Sequence, residues 1–258
     1  MSRRRYELTD YEWSVIQPLL PNKSRGVPRV DDRRVINGIL WRFRTGSPWA
    51  DIPERYGPPT TCYNRFVRWR QAGVWDRLLQ EIARAYDGDI IMIDSSCVRV
   101  HQQAAATQKG DRDDGGMGRS RGGLTTKIHA LVDAEGRPVD LKLTAGQAHD
   151  GKTGESLLGY LNADGILLAD KAYDSSSIRS LAAERGAWAN IPARKNRRES
   201  FTFSQYLYRY RNLVERFFGK IKQFRGIATR YDRKPENYLA ALKLASLRIW
   251  LKSYESAA

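Results

Sequence analysis

Through the first third of the chain, apolar residues recur at the three- and four-residue spacing of helices that bury one face. Thr9-x-x-Glu12 forms a capping box ahead of Trp13, Ile16, Leu19 and Leu20, and Pro21 stops that run. Asp31 is placed to cap a second helix carrying Val35, Ile39, Leu40 and Phe43, with Gly46 just past its end. A third, from about Thr60 to Gln71, spaces Tyr63, Phe66, Val67 and Arg70 helically and sets Arg65, Arg68 and Arg70 along its length. A fourth, Trp75 to Tyr86, carries the stripe Leu78, Leu79, Ile82 and Tyr86.

From residue 89 the period changes. Ile90 to Ile93 is a short, mostly β-branched run, expected to be a buried strand ending at Asp94. Residues 103–123 hold six glycines and mixed charges without periodicity, which predicts a mobile loop. Lys127 to Asp133 and Val139 to Thr144, joined by residues 134–138, predict a hairpin. A helix near 152–161 follows, then a buried strand Ile166 to Ala169 ending at Asp170. Next come a Ser175-capped helix to about Arg185, a strand from Trp188 to Ile191, and two long helices near 204–225 and 236–254. The expected architecture is α+β: a helical region over 1–88, then a mixed-sheet domain over 89–258 with long C-terminal helices.

The 258 residues carry 44 Lys and Arg against 29 Asp and Glu, a formal net charge of +15, which points to a polyanionic partner or a solvated basic surface. No apolar run approaches the roughly 20 residues of a membrane helix, and the start of the chain lacks the apolar core of a secretory signal. Two cysteines, Cys62 and Cys97, are too few for a disulfide framework or a Cys-based zinc site. These features predict a soluble cytoplasmic protein with no membrane partner.

Two apolar strands each lead into an acid, Asp94 and Asp170. Each carboxylate either caps the following turn or is held by the sheet at a site open on its loop side. On a regular helix Tyr208, Arg211, Glu215 and Lys222 share a 60° arc, apart from the apolar face, and Glu215 is the only acid between Ser200 and Tyr231. Glu215 alone reads as a salt-bridge partner. Three carboxylates on two strands and a helix can instead hold two Mg²⁺ ions about 3.5–4 Å apart, the arrangement for in-line displacement at phosphorus.

With these residues the chain resembles the DDE transposases of bacterial insertion sequences, specifically the insertion-sequence-five family with its ribonuclease-H-like catalytic domain. The likeness runs through Tyr11 to Pro21, Arg44 to Trp49, Thr61 to Trp69, Ile93 to Ser95, Gly118 to Lys127, Gly146 to Asp150, Ala169 to Asp174 and Arg211 to Asp232. Its most specific mark is Y-x2-R-x3-E-x6-K, matched by Tyr208, Arg211, Glu215 and Lys222. Ala172 stands where relatives usually have glycine. The resemblance implies Asp94, Asp170 and Glu215 as ligands of two Mg²⁺ or Mn²⁺ ions. It also implies Arg211 and Lys222 as contacts to transposon-end DNA, with Tyr208 beside them. Expected partners are double-stranded DNA, both terminal inverted repeats and target, and a second copy of the chain. A nucleoid-associated bacterial location is implied with them.

Charge fits that reading. Residues 1–88 carry 16 Lys/Arg against 10 Asp/Glu, and Arg65, Arg68 and Arg70 on the third helix suit a helix-turn-helix reader, or else a basic bundle used for packing. Residues 194–234 carry 13 Lys/Arg against 3 Asp/Glu, with Tyr206, Tyr208, Tyr210 and Tyr231 interleaved, which suits a phosphate-tracking surface. His101 and His149 are candidate outer groups of the site, His101 with a solvated loop position as its alternative. His129 is expected to be structural. Gly146-x4-Gly151-Lys152-Thr153 imitates a P-loop, but follows an antiparallel hairpin rather than a parallel sheet. The rival functions are a non-catalytic DNA-binding repressor and a ribonuclease-H-like nuclease that cuts without joining.

Overall fold

The computed structural model describes residues 6–21, 30–85, 89–105, 115–120 and 122–257. The Thr9 hydroxyl accepts from Glu12 N at 3.0 Å and Glu12 Oε2 accepts from Thr9 N at 2.7 Å, opening α1 (Asp10–Ile16), which tightens into a 3-10 turn over Gln17–Leu19. Asp31 caps α2 (Asp32–Thr45), and Gly46 closes it at φ +77°, a left-handed conformation that glycine adopts without strain. Residues 46–58, with two 3-10 turns, lead to α3 (Pro59–Gln71), a longer link than a helix-turn-helix uses. α4 (Val74–Ile82) follows; its expected end at Tyr86 lies outside the described residues.

Next come β1 (Ile90–Val100), the single turn α5 (Gln102–Ala105), β2 (Gly118–Ser120), β3 (Gly123–Val132) and β4 (Pro138–Ala145). They are followed by α6 (Asp150–Leu157), β5 (Ile166–Ala169), α7 (Ser176–Glu184), β6 (Trp188–Asn190), α8 (Gln205–Tyr208) and α9 (Asn212–Ile221). Strands run in the order β2-β3-β1-β5-β6, with β4 also paired to β3. The β1–β3 and β3–β4 pairings are antiparallel, and β5 and β6 extend the sheet parallel to β1. Residues of one sheet face, Ile91, Ile93, Leu131, Leu167 and Ala169, share a buried core with Leu157, Leu158, Ile178 and Ala182 of α6, α7 and the turn between them.

Three expectations are corrected. β1 does not end at Asp94: Ser95 to Val100 stay in register with β3 as far as Arg99↔Thr125, whereas β5 stops at Ile93↔Ala169. The polar residues of that second half hid a strand whose partner is distant in sequence. The loop expected over 103–123 contains ordered pieces, the end of α5 and β2, whose Gly118–Ser120 pairs with Gly123–Thr125; residues 106–114 and 121 lie outside the described residues. A three-residue strand of this composition has no apolar alternation to betray it. The helix expected over 204–225 is broken: a 3-10 turn at Arg209–Arg211 separates α8 from α9, and α9 stops at Ile221. At about 120° per residue that turn rotates Tyr208 by roughly 60° from the arc a continuous helix would give it.

The chain closes with the short α10 (Arg225–Ala228) and α11 (Pro235–Ala257). It divides into two compact units: Met1–Ala83 with His101–Ala104 and Ile221–Ala258, and Arg84–Val100 with Ala105–Lys220. In the first, α11 packs on α1, α3 and α4, and Phe43, Trp49, Phe66, Trp69 and Trp75 form a chain of ring contacts. Gly38 is required there, because a Cβ would lie 2.8 Å from Tyr56 Cβ. The wholly buried Glu12 is paired with Arg248, whose Nη2 also donates to Glu7 O at 2.8 Å. The second unit is the sheet with α6 to α9. Among the described residues no helix is long and apolar enough to cross a membrane.

Candidate active site

The second unit brings Asp94, Asp170, Arg211 and Glu215 together where β5 ends beside β1. Asp94 and Asp170 each follow a member of the last β1–β5 pair, Ile93 and Ala169, on parallel strands whose backbones run about 4.8 Å apart. Asp94 therefore lies inside β1, at the point where its neighbour on one side ends. Its Oδ1 accepts from Ser95 N at 2.7 Å and its Oδ2 from Arg211 Nη1 at 2.8 Å. Burial pushes the Asp94 carboxyl above the ordinary range. Ser95 N–H and Arg211 oppose that shift, and the charge of Asp170 adds to it. Asp170 also caps the turn after it, its Oδ1 accepting from Ala172 N at 2.8 Å.

Glu215 lies on the first turn of α9, its side chain 56% exposed, and is paired with Arg211 four residues earlier. Arg211 thus bridges two of the three acids, with its guanidinium 5.6 Å from the Tyr208 ring. Burial lowers the Arg211 pKa, but Asp94, Tyr208 and Glu215 outweigh it and hold the guanidinium above its usual value. Val214, Phe217 and Ile221 are fully buried and fix which way α9 turns its acid. Among the described residues, no three His, Cys, Asp or Glu side chains gather closely enough to hold a metal ion.

Lys222 is in the turn after α9 and belongs with the first unit. So do Arg65, paired with Asp32 and stacked over Trp69 at 5.2 Å, the exposed Arg68, and Arg70, 3.7 Å from Glu236. His101 is in that unit too, its ring 4.7 Å from Tyr231. His149 is a helix cap: its Nδ1 accepts from Gly151 N at 3.1 Å, which engages one of the backbone donors a P-loop would turn toward phosphate.

Several supporting residues were not found from sequence. Asn190, wholly buried at the end of β6, exchanges two hydrogen bonds with Ser204 at 2.8 and 3.0 Å, fastening the start of α8 to the sheet. Asp174 accepts from Arg179 Nε and Arg194 N, both at 2.8 Å, and lies 3.3 Å from Arg197. Those partners overcome the opposing effect of burial and hold its carboxyl below the usual range. Arg194 in turn donates to Lys171 O at 3.1 Å and Ala172 O at 2.6 Å, tying the basic segment 194–198 to the turn that Asp170 caps. On the α6 side of the sheet Asp150 Oδ1 accepts from Ser95 Oγ and Lys127 Nζ, both at 3.0 Å. Only the shared motifs around Asp150 and Asp174 marked these residues in the sequence.

Residues 85–250 match the family model described as "Transposase DDE domain", and residues 8–79 match "Putative transposase of IS4/5 family". A Brucella ovis protein named "Putative transposase for insertion sequence element IS6501" is 37% identical over 130 residues, 50% of this chain and all of that one. An uncharacterised Sinorhizobium fredii protein, y4sN, is 38% identical over 104 residues, 40% of this chain and 83% of that one. In fold, the chain is similar to a piggyBac transposase solved in a synaptic complex with hairpin DNA: TM-score 0.50, 10% identity, covering 96% of this chain and 71% of that one. With the DDE-domain model spanning well over half of its length, the chain belongs to the DDE transposases of insertion sequences, enzymes that cleave DNA and transfer strands.

Proposed function

We propose that this chain binds the terminal inverted repeats of an insertion sequence, cuts at the element's end to expose a 3′-hydroxyl, and joins that hydroxyl to target DNA. The observation that carries the reading is the placement of Asp94 and Asp170 directly after the last β1–β5 pair, Ile93↔Ala169, with Glu215 linked to Asp94 through Arg211. Asp94, Asp170 and Glu215 are the residues that would hold two Mg²⁺ or Mn²⁺ ions. Their donors are all carboxylate oxygens, as hard cations prefer, and the guanidinium between Asp94 and Glu215 is a stand-in positive charge. Ions held there supply activation of the attacking oxygen and stabilisation of the leaving one.

The chain's own part is to bind and orient DNA. Exposed Lys171, Arg194, Lys195, Arg198, Arg209, Arg216 and Lys220 meet phosphates, with Arg211, Lys222 and Tyr208 at the transposon end. Tyr206 and Tyr210, 66% and 44% exposed with rings 6.0 Å apart, offer faces on which bases stack. Residues 1–88 read the terminal repeat, Arg68 being exposed for it, and residues 89–258 carry the chemistry. Because two ends are cut and joined together, a homodimer on DNA is the working form.

An end-cleavage and strand-transfer assay on the native flanking DNA, with Mg²⁺ or Mn²⁺, tests this. Joined products from the wild type that vanish in Glu215→Ala are expected. Binding without any product would return the chain to a repressor, and cut DNA without joined product to a nuclease. Asp94→Ala should lose chemistry while the protein still binds DNA.

A further inference from the structure

Arg211 spends one guanidinium on two acids. Nη1 donates to Asp94 Oδ2 at 2.8 Å and Nη2 to a Glu215 carboxylate oxygen. The Arg211 and Asp94 side chains are each 18% exposed, so water screens their charges only in part. The oxygens it holds are among those assigned above to a divalent cation, and two positive charges compete for them. No other acid lies between Ser200 and Tyr231, while Arg209, Arg216 and Lys220 flank Glu215 exposed. That surface draws a phosphate toward the same guanidinium, whose planar fork suits a phosphate as well as it suits a carboxylate.

We propose that Arg211 is an internal counter-cation that couples metal binding to DNA binding. It neutralises Asp94 and Glu215 when no DNA is engaged and opposes a divalent cation there. It gives up their oxygens when a DNA phosphate takes the guanidinium. This rests on the reading of Asp94, Asp170 and Glu215 as metal ligands. Linkage makes the effect reciprocal: the factor by which the phosphate tightens metal binding is the factor by which the metal tightens DNA binding. The nuclease chemistry then waits for the transposon end, because full metal occupancy requires it.

The test titrates Mn²⁺ into the full chain without DNA, reading free ion by electron paramagnetic resonance. Arg211→Gln is expected to bind Mn²⁺ at least about fivefold more tightly than wild type, the lower end of ordinary site-to-site coupling. Arg211→Lys, which keeps the charge but not the fork, should fall between them. Mn²⁺ affinity equal to or weaker than wild type in both variants overturns the proposal. Asp94→Ala separates the two claims. If it leaves Mn²⁺ affinity unchanged, the metal-ligand reading fails and the coupling with it. If it weakens Mn²⁺ binding while Arg211→Gln changes nothing, the coupling alone fails.

Discussion

Replacing His129 with Gln should flatten part of the protein's response to acid, by an amount the structure sets. His129 is wholly buried on β3, with Nε2 2.7 Å from Thr144 Oγ1 and Nδ1 3.8 Å from Asp150 Oδ1. Burial pushes its imidazole down from 6.5 to about 4; Asp150 pulls the other way, and Lys127 adds to the lowering. The folded pKa is therefore depressed, and between these values the unfolded chain binds more protons than the folded one. The stabilisation is fully present above pH 6.5 and is lost as pH falls through the folded pKa. At about 1.4 kcal/mol per pH unit, wild type should lose about 1.4 kcal/mol through this group by pH 5.5 and about 2.5 kcal/mol by pH 4.5. Urea unfolding of wild type and His129→Gln at pH 7.5, 5.5 and 4.5 measures it, because carboxylates such as Asp174 contribute equally to both and cancel. The gap between the two proteins should change by those amounts in favour of the variant. Parallel curves from pH 7.5 to 4.5 would refute the argument that burial outweighs the Asp150 charge.

Two further changes test the helical unit. Arg248→Met strands the buried Glu12 carboxylate and should destabilise by about 3–5 kcal/mol in urea unfolding, with Glu12→Leu in the same chain restoring most of it. Gly46→Ala forces a Cβ into a left-handed residue and sets it 3.0 Å from Arg225 Cβ. A loss of about 1–2 kcal/mol is expected, read the same way.

Where residues announce their own geometry, sequence and structure agree. α2 was legible at both ends, because Asp31 satisfies the first N–H groups and Gly46 takes the positive φ that stops the helix. The apolar run Ile166 to Ala169 is β5 to the residue. The second half of β1 was not legible, because Ser95 to Val100 are held by cross-strand partners about thirty residues away rather than by a local period. The same holds at the candidate site. Asp94, Asp170, Arg211 and Glu215 stood out as acids after apolar strands and as a four-residue helical step. The partnership of Asp174 with Arg194 joins positions with no shared spacing. The break at Arg209–Arg211 was hidden too, since the residues on either side have ordinary helical character.

One unit being built from both ends of the chain has a consequence for the order of synthesis. The faces of α1, α3 and α4 that α11 covers leave the ribosome roughly 150–220 residues before α11 does, a delay on the order of 10–40 s at bacterial elongation rates. Strands β1 to β6, between residues 90 and 190, emerge within that interval. The nascent chain therefore carries those six strands while its helical unit still lacks its longest helix, and a product truncated anywhere before residue 235 never acquires it.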